Sequence, residues 1–322
     1  MKAIVRDRYG SADVLRLSEI DVPSVGDEQV LVRVHAAGLD RGAWHIMAGL
    51  PYLIRIAGYG LRAPKTAGLG SELAGVVEAI GANVTELRPG ETVFGTCDAA
   101  FAEYASARAD KLARMPANLT FEQAAASPIS GLTALQAVRD SGRVQSGQSV
   151  LIIGASGGVG TFAVQIAKAF GATVTGVCST STVDLVRSLG ADHVIDYTRD
   201  DIASGWRHDV IIDTGGHRSL THLRRALTPT GTLVIVGSET GGRLLGGFDR
   251  SLRASVLSMF VGQRLRALTN SENAADLVAL TELIEAGKVT RAIERTFPLA
   301  ETPAAIRHMV EGHARGKVVI TV

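Results

Sequence analysis

Residues 150–168 constrain this chain more than any other stretch: Val-Leu-Ile-Ile-Gly-Ala-Ser-Gly-Gly-Val-Gly runs straight into Thr-Phe-Ala-Val-Gln-Ile-Ala-Lys. Four β-prone apolar residues predict a buried strand, and the glycines predict a tight turn. Phe162, Ile166 and Phe170, spaced i, i+4, i+8, mark one face of a helix that Gly171 stops. A second β-prone run, Thr173-Val174-Thr175-Gly176-Val177, completes a βαβ unit.

Such a turn is a phosphate site. Helix-start amides have no intrahelical partner, and the helix dipole places roughly +0.5 charge there. The spacing Ala155-x-Gly157-x-x-Gly160 is the dinucleotide fingerprint with Ala in place of its first Gly. Gly157 lets backbone meet a pyrophosphate, and Gly160 lets the helix pack on the strand. Ala155, Ser156, Gly157, Gly158, Val159 and Gly160 are therefore the candidate phosphate-binding residues. In a chain with 36 glycines the spacing alone carries little, and a merely tight strand-to-helix turn is the competing explanation. The strand before it and the amphipathic helix after it give the pattern its meaning.

A carboxylate about 20 residues past the first glycine would accept the ribose 2′-OH of NAD. Cys178, Ser179, Thr180, Ser181 and Thr182 stand there instead. The hydroxyls of Ser179 and Thr180 donate to a 2′-phosphate without repelling it, so NADP is the expected cofactor, although no Arg lies in this short loop. The same hydroxyls also suit the cap of a helix starting near Val183, and both readings stand.

With 322 residues, 46% of them hydrophobic, the chain can bury one large or two ordinary cores, and two domains are expected. A formal net charge of +1 leaves no basic footprint for nucleic acid. No stretch of about 18 uninterrupted apolar residues is available to span a membrane. The opening residues alternate like a strand and lack a signal-peptide core. Cys97 and Cys178 are the only cysteines, which excludes a disulfide framework and makes a reducing cytoplasm the plain expectation.

Residues 2–5, 29–34, 73–80, 92–94 and 101–106 alternate in short pieces, as strands of a small curled β domain over 1–119 do. The rhythm changes at Thr120, where Thr120-x-x-Gln123 predicts a capping box for an alanine-rich helix. From 120 to 264 helices and strands alternate, with strands expected at 193–196, 209–213 and 232–236, which predicts an α/β fold with a doubly wound parallel sheet. The tail, 265–322, adds a helix through Leu277, Leu280 and Ile284 and a last strand from Lys317, expected to return to the first domain.

A β-rich front, a central nucleotide fold and a returning tail resemble the medium-chain dehydrogenase/reductase superfamily, specifically its zinc-free quinone oxidoreductase (zeta-crystallin-like) branch. The resemblance covers essentially the whole chain. It is carried by Ala36-Ala37-Gly38-Leu39-Asp40, Gly70-Ser71-Glu72-Leu73-Ala74-Gly75, Arg88-Pro89-Gly90-Glu91-Thr92-Val93-Phe94-Gly95, Gly131-Leu132-Thr133-Ala134, the turn 154–160 and Gly190-Ala191-Asp192-His193-Val194-Ile195-Asp196-Tyr197. It implies a GroES-like β-rich catalytic domain beside the Rossmann domain, and a homodimer.

The zinc-dependent members of that superfamily place Cys where this chain has Asp40 and His where it has Ser71, and they carry a four-cysteine lobe. All are missing here. Asp40 with Glu72 alone is a poor set for a catalytic zinc, which takes three protein ligands, so no zinc is expected. Hydride transfer without a Lewis acid suits an already electrophilic carbon, as in a quinone, enone or enal. The protein then has to align the acceptor and stabilise the developing oxyanion.

Candidates for that work lie between Asp40 and Tyr52. The quinone reductases it resembles usually place Asn at the Asp40 position and often Tyr at the His45 position. His45 suits proton donation near neutral pH, with packing beside Trp44 as the bland alternative. Tyr52 suits hydrogen bonding to an enolate or stacking on a flat substrate, or else plain packing. Asp40 suits holding the nicotinamide ribose or carboxamide, with helix capping as its competitor. The resemblance further assigns Thr133 to the nicotinamide side and Tyr197 to the adenosine side. It places the turns holding Thr214, Gly215, Gly237 and Ser238 in the cofactor groove, and Phe260 at the nicotinamide pocket or in dimer or core packing. Residues 52–65, with Tyr52 and Tyr59 among glycines, suit an aromatic lid or a surface loop.

The resulting expectation is an NADPH-dependent, zinc-independent oxidoreductase acting on quinones or α,β-unsaturated carbonyls. Two rivals stand beside it: an enoyl-thioester reductase, with Arg55, Arg62 and Lys65 as a basic mouth, and a non-catalytic NADP-binding regulatory or structural protein.

Overall fold

The computed structural model describes residues 1–237, 242–290, 293–312 and 316–322. Contacts divide the chain into two compact units: Met1–Leu132 with Glu272–Glu285 and Arg291–Val322, and Thr133–Ser271 with Ala286–Thr290.

In the first unit β1 (Lys2–Val5) pairs antiparallel with β2 (Arg16–Glu19). β3 (Gln29–Leu39) is the spine of the unit, and its end feeds α1 (Arg41–Ala48) and the short α2 (Tyr52–Ile54). β4 (Glu72–Ile80), β5 (Thr92–Thr96), β6 (Tyr104–Arg108) and β7 (Leu112–Arg114) follow, then α3 (Phe121–Ala125) and α4 (Pro128–Gln136). Alternation along β3 and β4 turns Val30, Val32, Leu73 and Val77 into a core that Phe101, Leu112 and Val93 complete. The capping box is present: Gln123 N donates to Thr120 Oγ1 at 3.3 Å and Thr120 N to Gln123 Oε1 at 3.1 Å. The strand expected at 101–106 begins only at Tyr104, because Ala102 bridges to Ala3 while Phe101 turns into the core.

The second unit holds β8 (Ser149–Ile153), α5 (Gly158–Ala169), β9 (Thr173–Cys178), α6 (Val183–Ser188), β10 (His193–Asp196) and β11 (His208–Asp213). α7 (Leu220–Arg225), β12 (Leu227–Ile235), α8 (Phe248–Ser258) and β13 (Arg264–Ala267) complete it. All six strands are parallel in the order β10-β9-β8-β11-β12-β13, the doubly wound order whose direction reverses between β8 and β11. Leu151, Ile153, Val177, Ile211, Leu233 and Ile235 form its core. β12 starts at Leu227, earlier than the expected 232, because a bulge shifts its register on β11 between His208↔Leu227 and Val210↔Thr232. Pro229 and Gly231 lie inside that irregular stretch, and locally they read as a turn.

The tail forms α9 (Ala274–Glu285), β14 (Ile293–Pro298), α10 (Thr302–Val310) and β15 (Lys317–Thr321). β15 pairs antiparallel with β3 and parallel with β14, so the sheet of the first unit reads β14-β15-β3-β4-β5-β7, with β6 also on β3. No helix among the described residues is long and apolar enough to cross a membrane.

Candidate cofactor and active site

In the second unit Gly154 ends β8 at φ +79°, a left-handed conformation that glycine adopts freely. The turn glycine is thus one residue earlier than the fingerprint's first position. Ala155 fits there because it is buried beside Gly176, whose added Cβ would lie 3.2 Å from the Ala155 Cβ. Gly157 caps α5 without any side-chain hydrogen bond, so the first amides of the helix, at Gly158, Val159 and Gly160, face outward past a bare backbone. A Cβ on Gly160 would sit 2.0 Å from Gly154 O and 2.8 Å from Ala155 Cα. One on Gly157 would meet only Gly154 O, at 3.3 Å, and would otherwise project into the space before the helix. The two glycines therefore do different things: Gly160 permits the turn, and Gly157 keeps the approach to it clear. Ser156 lies between them, half-buried.

The carboxyl ends of the neighbouring strands are laced to this turn. Gly154 N and Ala155 N donate to Val177 O at 3.1 and 3.0 Å. Thr214 N and Oγ1 donate to Ile153 O at 3.1 and 2.7 Å, and Gly237 N donates to Asp213 O at 3.2 Å. Gly215 is half-buried in the same turn as Thr214. Thr133 is buried on α4, and Ser238 lies outside the described residues. Phe260, directly after α8, is 79% exposed and belongs to no core.

After β10, Tyr197 N donates to Cys178 O at 3.1 Å, and the Tyr197 side chain is half-exposed. The Thr180 hydroxyl is turned onto the Asp196 carboxylate, which Thr198 also supplies through Oγ1 at 2.7 Å and N at 3.0 Å. These hydroxyls hold Asp196 below the usual carboxylate range. Of the two expected phosphate donors, only Ser179 points elsewhere, toward Ser181 and Thr182.

Two arginines enter this unit's strand ends unforeseen from sequence. The Arg218 guanidinium reaches the Tyr197 ring, 5.8 Å from its centroid. Arg250, from α8, is paired with the fully buried Asp213 and donates to Arg218 O at 3.1 Å. Asp213 in turn accepts from Gly216 N at 3.1 Å. Both arginine side chains reach segments far from them in the chain, so no local pattern announces them.

In the first unit Asp40 is the N-cap of α1, accepting from Ala43 N at 2.9 Å through Oδ1, while its Oδ2 is buried with no partner. His45 lies in the last turn of α1, about 7.5 Å along the axis from Asp40 at 1.5 Å per residue, and Tyr52 opens α2. His45 Nδ1 contacts Leu50 O at 2.8 Å, a carbonyl that can only accept, which leaves Nε2 as the other functional nitrogen. Trp44 meets the His45 ring edge-on, with centroids 4.8 Å apart. The Tyr52 ring carries the Arg55 guanidinium at 4.8 Å, and the Tyr9 ring carries it at 4.4 Å. Arg55 Nε also donates to Gly49 O at 2.9 Å, and Tyr9 Oη bonds Tyr59 O at 2.7 Å. The segment expected as an aromatic lid or a surface loop is thereby tied to Tyr9 through Arg55 and Tyr59.

Glu72 heads β4 fully buried, one oxygen paired with buried Lys317 of β15 and the other accepting from Ile129 N at 2.9 Å. Gly38 is required opposite it, since a Cβ there would lie 2.3 Å from Glu72 Oε1. Burial pushes the Glu72 carboxyl up, the Lys317 ammonium pulls it down and the charge of nearby Asp40 pushes it up again, which leaves it at about 7. With both Glu72 oxygens committed, one Asp40 oxygen capping a helix and only a serine at Ser71, these residues do not fit a zinc ion. No group of three or more His, Cys, Asp or Glu able to hold a metal occurs among the described residues.

Comparison with known proteins agrees with this geometry. Residues 26–117 match the alcohol dehydrogenase GroES-like domain family, and residues 189–320 match the zinc-binding dehydrogenase family. The chain is 33% identical to the mitochondrial NAD(P)H oxidoreductase RTN4IP1 of Mus musculus, over all of this chain and 89% of the relative. It is 30% identical to the quinone oxidoreductase of Homo sapiens, over 99% of this chain and 97% of the relative. The solved quinone oxidoreductase of Coxiella burnetii superposes with a TM-score of 0.87 at 30% identity, covering 100% of this chain and 99% of that one. With both domain families matched in order and full-length relatives at this identity, the chain belongs to the medium-chain dehydrogenase/reductase superfamily, in its quinone oxidoreductase-like branch.

Proposed function

We propose that this oxidoreductase is NADPH-dependent and zinc-independent and reduces quinones or α,β-unsaturated carbonyls. The observation that carries the reading is the bare cradle at the start of α5, where a Cβ on Gly157 would occupy the approach to the helix amides. A nicotinamide dinucleotide whose pyrophosphate lies there supplies the hydride from its nicotinamide ring. Gly158, Val159 and Gly160 hold the pyrophosphate through their amides, and the turns of Thr214, Gly215 and Gly237 line the groove beyond it. Ser179 takes the 2′-phosphate, supported by the Arg218 guanidinium at Tyr197 and by the engagement of Asp196 with its own threonines. In the first unit, His45 acting as the imidazolium, with Nδ1–H held on Leu50 O, passes its Nε2 proton to the acceptor oxygen and is left neutral, Tyr52 lies against a flat acceptor, and the unpartnered Oδ2 of Asp40 takes a ribose or carboxamide donor. The same reading makes the chain a homodimer, supported by the apolar face that α8 leaves exposed at Phe248, Leu252 and Val256.

Steady-state kinetics with NADPH and NADH against benzoquinones, enones and enoyl thioesters test it. NADPH is expected to be preferred by roughly tenfold or more in kcat/KM. Preference for NADH removes the role given to Ser179, faster turnover of enoyl thioesters moves the enzyme to that class, and tight NADPH binding without turnover makes it a non-catalytic binder. In the same assay His45→Gln is expected to lower kcat by about 100-fold with little change in KM for NADPH. An unchanged kcat returns His45 to packing beside Trp44.

A further inference from the structure

At the amino ends of the second unit's strands, the end opposite the glycine turn, Arg207, Arg224 and Arg225 line one open hollow of about 390 Å³. Arg207 precedes β11, Arg224 and Arg225 close α7, and Gly262 and Gln263, also in the lining, lead into β13. Several other cations of this unit are matched by an acid: Lys168 with Asp192, His222 with Asp201, Arg250 with Asp213. None of the three arginines of the hollow takes part in an ion pair among the described residues.

The hollow is also built rather than incidental. Gln263, 9% exposed, accepts from Arg224 Nε at 2.8 Å and donates back to Arg224 O at 2.9 Å and to Thr228 O at 3.2 Å. This reciprocal tie fixes one edge of the guanidinium and leaves its Nη donors to the hollow. Cations at the end of α7 answer the roughly half negative charge of a helix C-terminus, which accounts for one of them. Arg207 lies on no helix, and three guanidiniums exceed what that partial charge neutralises.

We propose that this hollow binds a small polyanion carrying several phosphoryl groups. Guanidinium forks match phosphoryl oxygens in pairs, and the Thr221 hydroxyl in the lining adds a neutral donor. One orthophosphate does not balance three guanidiniums, whereas a chain of two or three phosphoryl groups does.

Calorimetric titration of the whole protein with inorganic tripolyphosphate at fixed ionic strength, in saturating NADPH so that the glycine cradle is filled, tests the site. One saturable site per chain is expected. Arg207→Gln combined with Arg225→Gln, which leaves the Arg224–Gln263 tie intact, is expected to weaken binding roughly tenfold or more without altering NADPH affinity. Parallel titrations with pyrophosphate and ATP separate the sources: ATP as tight as tripolyphosphate identifies a nucleoside polyphosphate site, and tripolyphosphate alone identifies an inorganic one. Absence of saturable binding, or equal binding by the double variant, overturns the proposal.

Discussion

Lys317→Met is expected to lower the unfolding free energy by about 3–5 kcal/mol at alkaline pH, the range for removing one partner of a buried ion pair. The substitution keeps the length of the side chain and removes the charge that balances Glu72. Glu72 is fully buried, and its other oxygen already serves Ile129 N, so no rearrangement brings water or a new cation to it. The variant can relieve the cost only by protonating Glu72. In the native protein burial already raises that carboxyl from 4.5 to about 7. A carboxyl whose folded value lies above its unfolded value binds more protons when folded, so its contribution is fully present below the unfolded value and is lost as pH rises through about 7. Loss of the ammonium moves the carboxyl further up and extends that decline to higher pH. Chemical denaturation across pH is therefore expected to show the Lys317→Met deficit widening from acid to alkaline conditions. The double variant Glu72→Gln/Lys317→Met is expected to recover part of the loss and to flatten the pH dependence. A deficit independent of pH would show that packing, and not charge, holds this site.

Gly160→Ala is expected to abolish detectable nicotinamide cofactor binding and to destabilise the protein by about 1–3 kcal/mol or more. The added methyl would lie 2.0 Å from Gly154 O and 2.8 Å from Ala155 Cα, both backbone atoms, so α5 must tilt away from β8 to admit it. That tilt moves the very amides that would face the pyrophosphate. Gly157→Ala is the informative control. Its methyl meets protein only at 3.3 Å, so the fold is expected to survive while cofactor affinity falls, by roughly 100-fold. Thermal unfolding with and without NADPH separates the two: both variants lose the ligand-induced shift, and only Gly160→Ala also loses intrinsic stability. A Gly157→Ala protein that still binds NADPH like the parent would mean that the cradle opens on a different line.

The elements that sequence disclosed are those whose physics is local. A strand, turn and helix between 150 and 170 are written by side-chain periodicity and by glycine spacing, and the capping box at Thr120 needs only its own four residues. Thr120, Phe162 and Ile166 accordingly stand where periodicity puts them. Position 227 escaped because a bulge inserts Pro229 and Gly231 into a strand, and both residues carry the local signature of a turn. In the candidate site, Ala155, Gly157 and Gly160 were legible for the same local reason. Arg218 and Arg250 were not: one comes from the turn after β11 and the other from α8, and only the stacking of parallel strands brings them to Tyr197 and Asp213. Tyr52 was half legible. Arg55 follows it by one helical turn, but Tyr9, the other ring on that guanidinium, lies in a distant part of the sequence.

The Glu72–Lys317 pair also sets an order of events during synthesis. Its partners are 245 residues apart, and β15, which carries the lysine, occupies a place in the sheet between β3 and β14. A ribosome that has released the first seven strands has delivered a sheet with an open flank and a carboxylate buried without its counter-ion. The parallel sheet, whose strands lie between Ser149 and Ala267, has all its pairing partners in hand well before the lysine emerges. The nascent chain thus closes its middle first and its beginning last, and the edge of β3 at Ala36–Leu39 waits for β15 through most of translation, a long-range pairing of the kind that folds slowly and invites wrong partners.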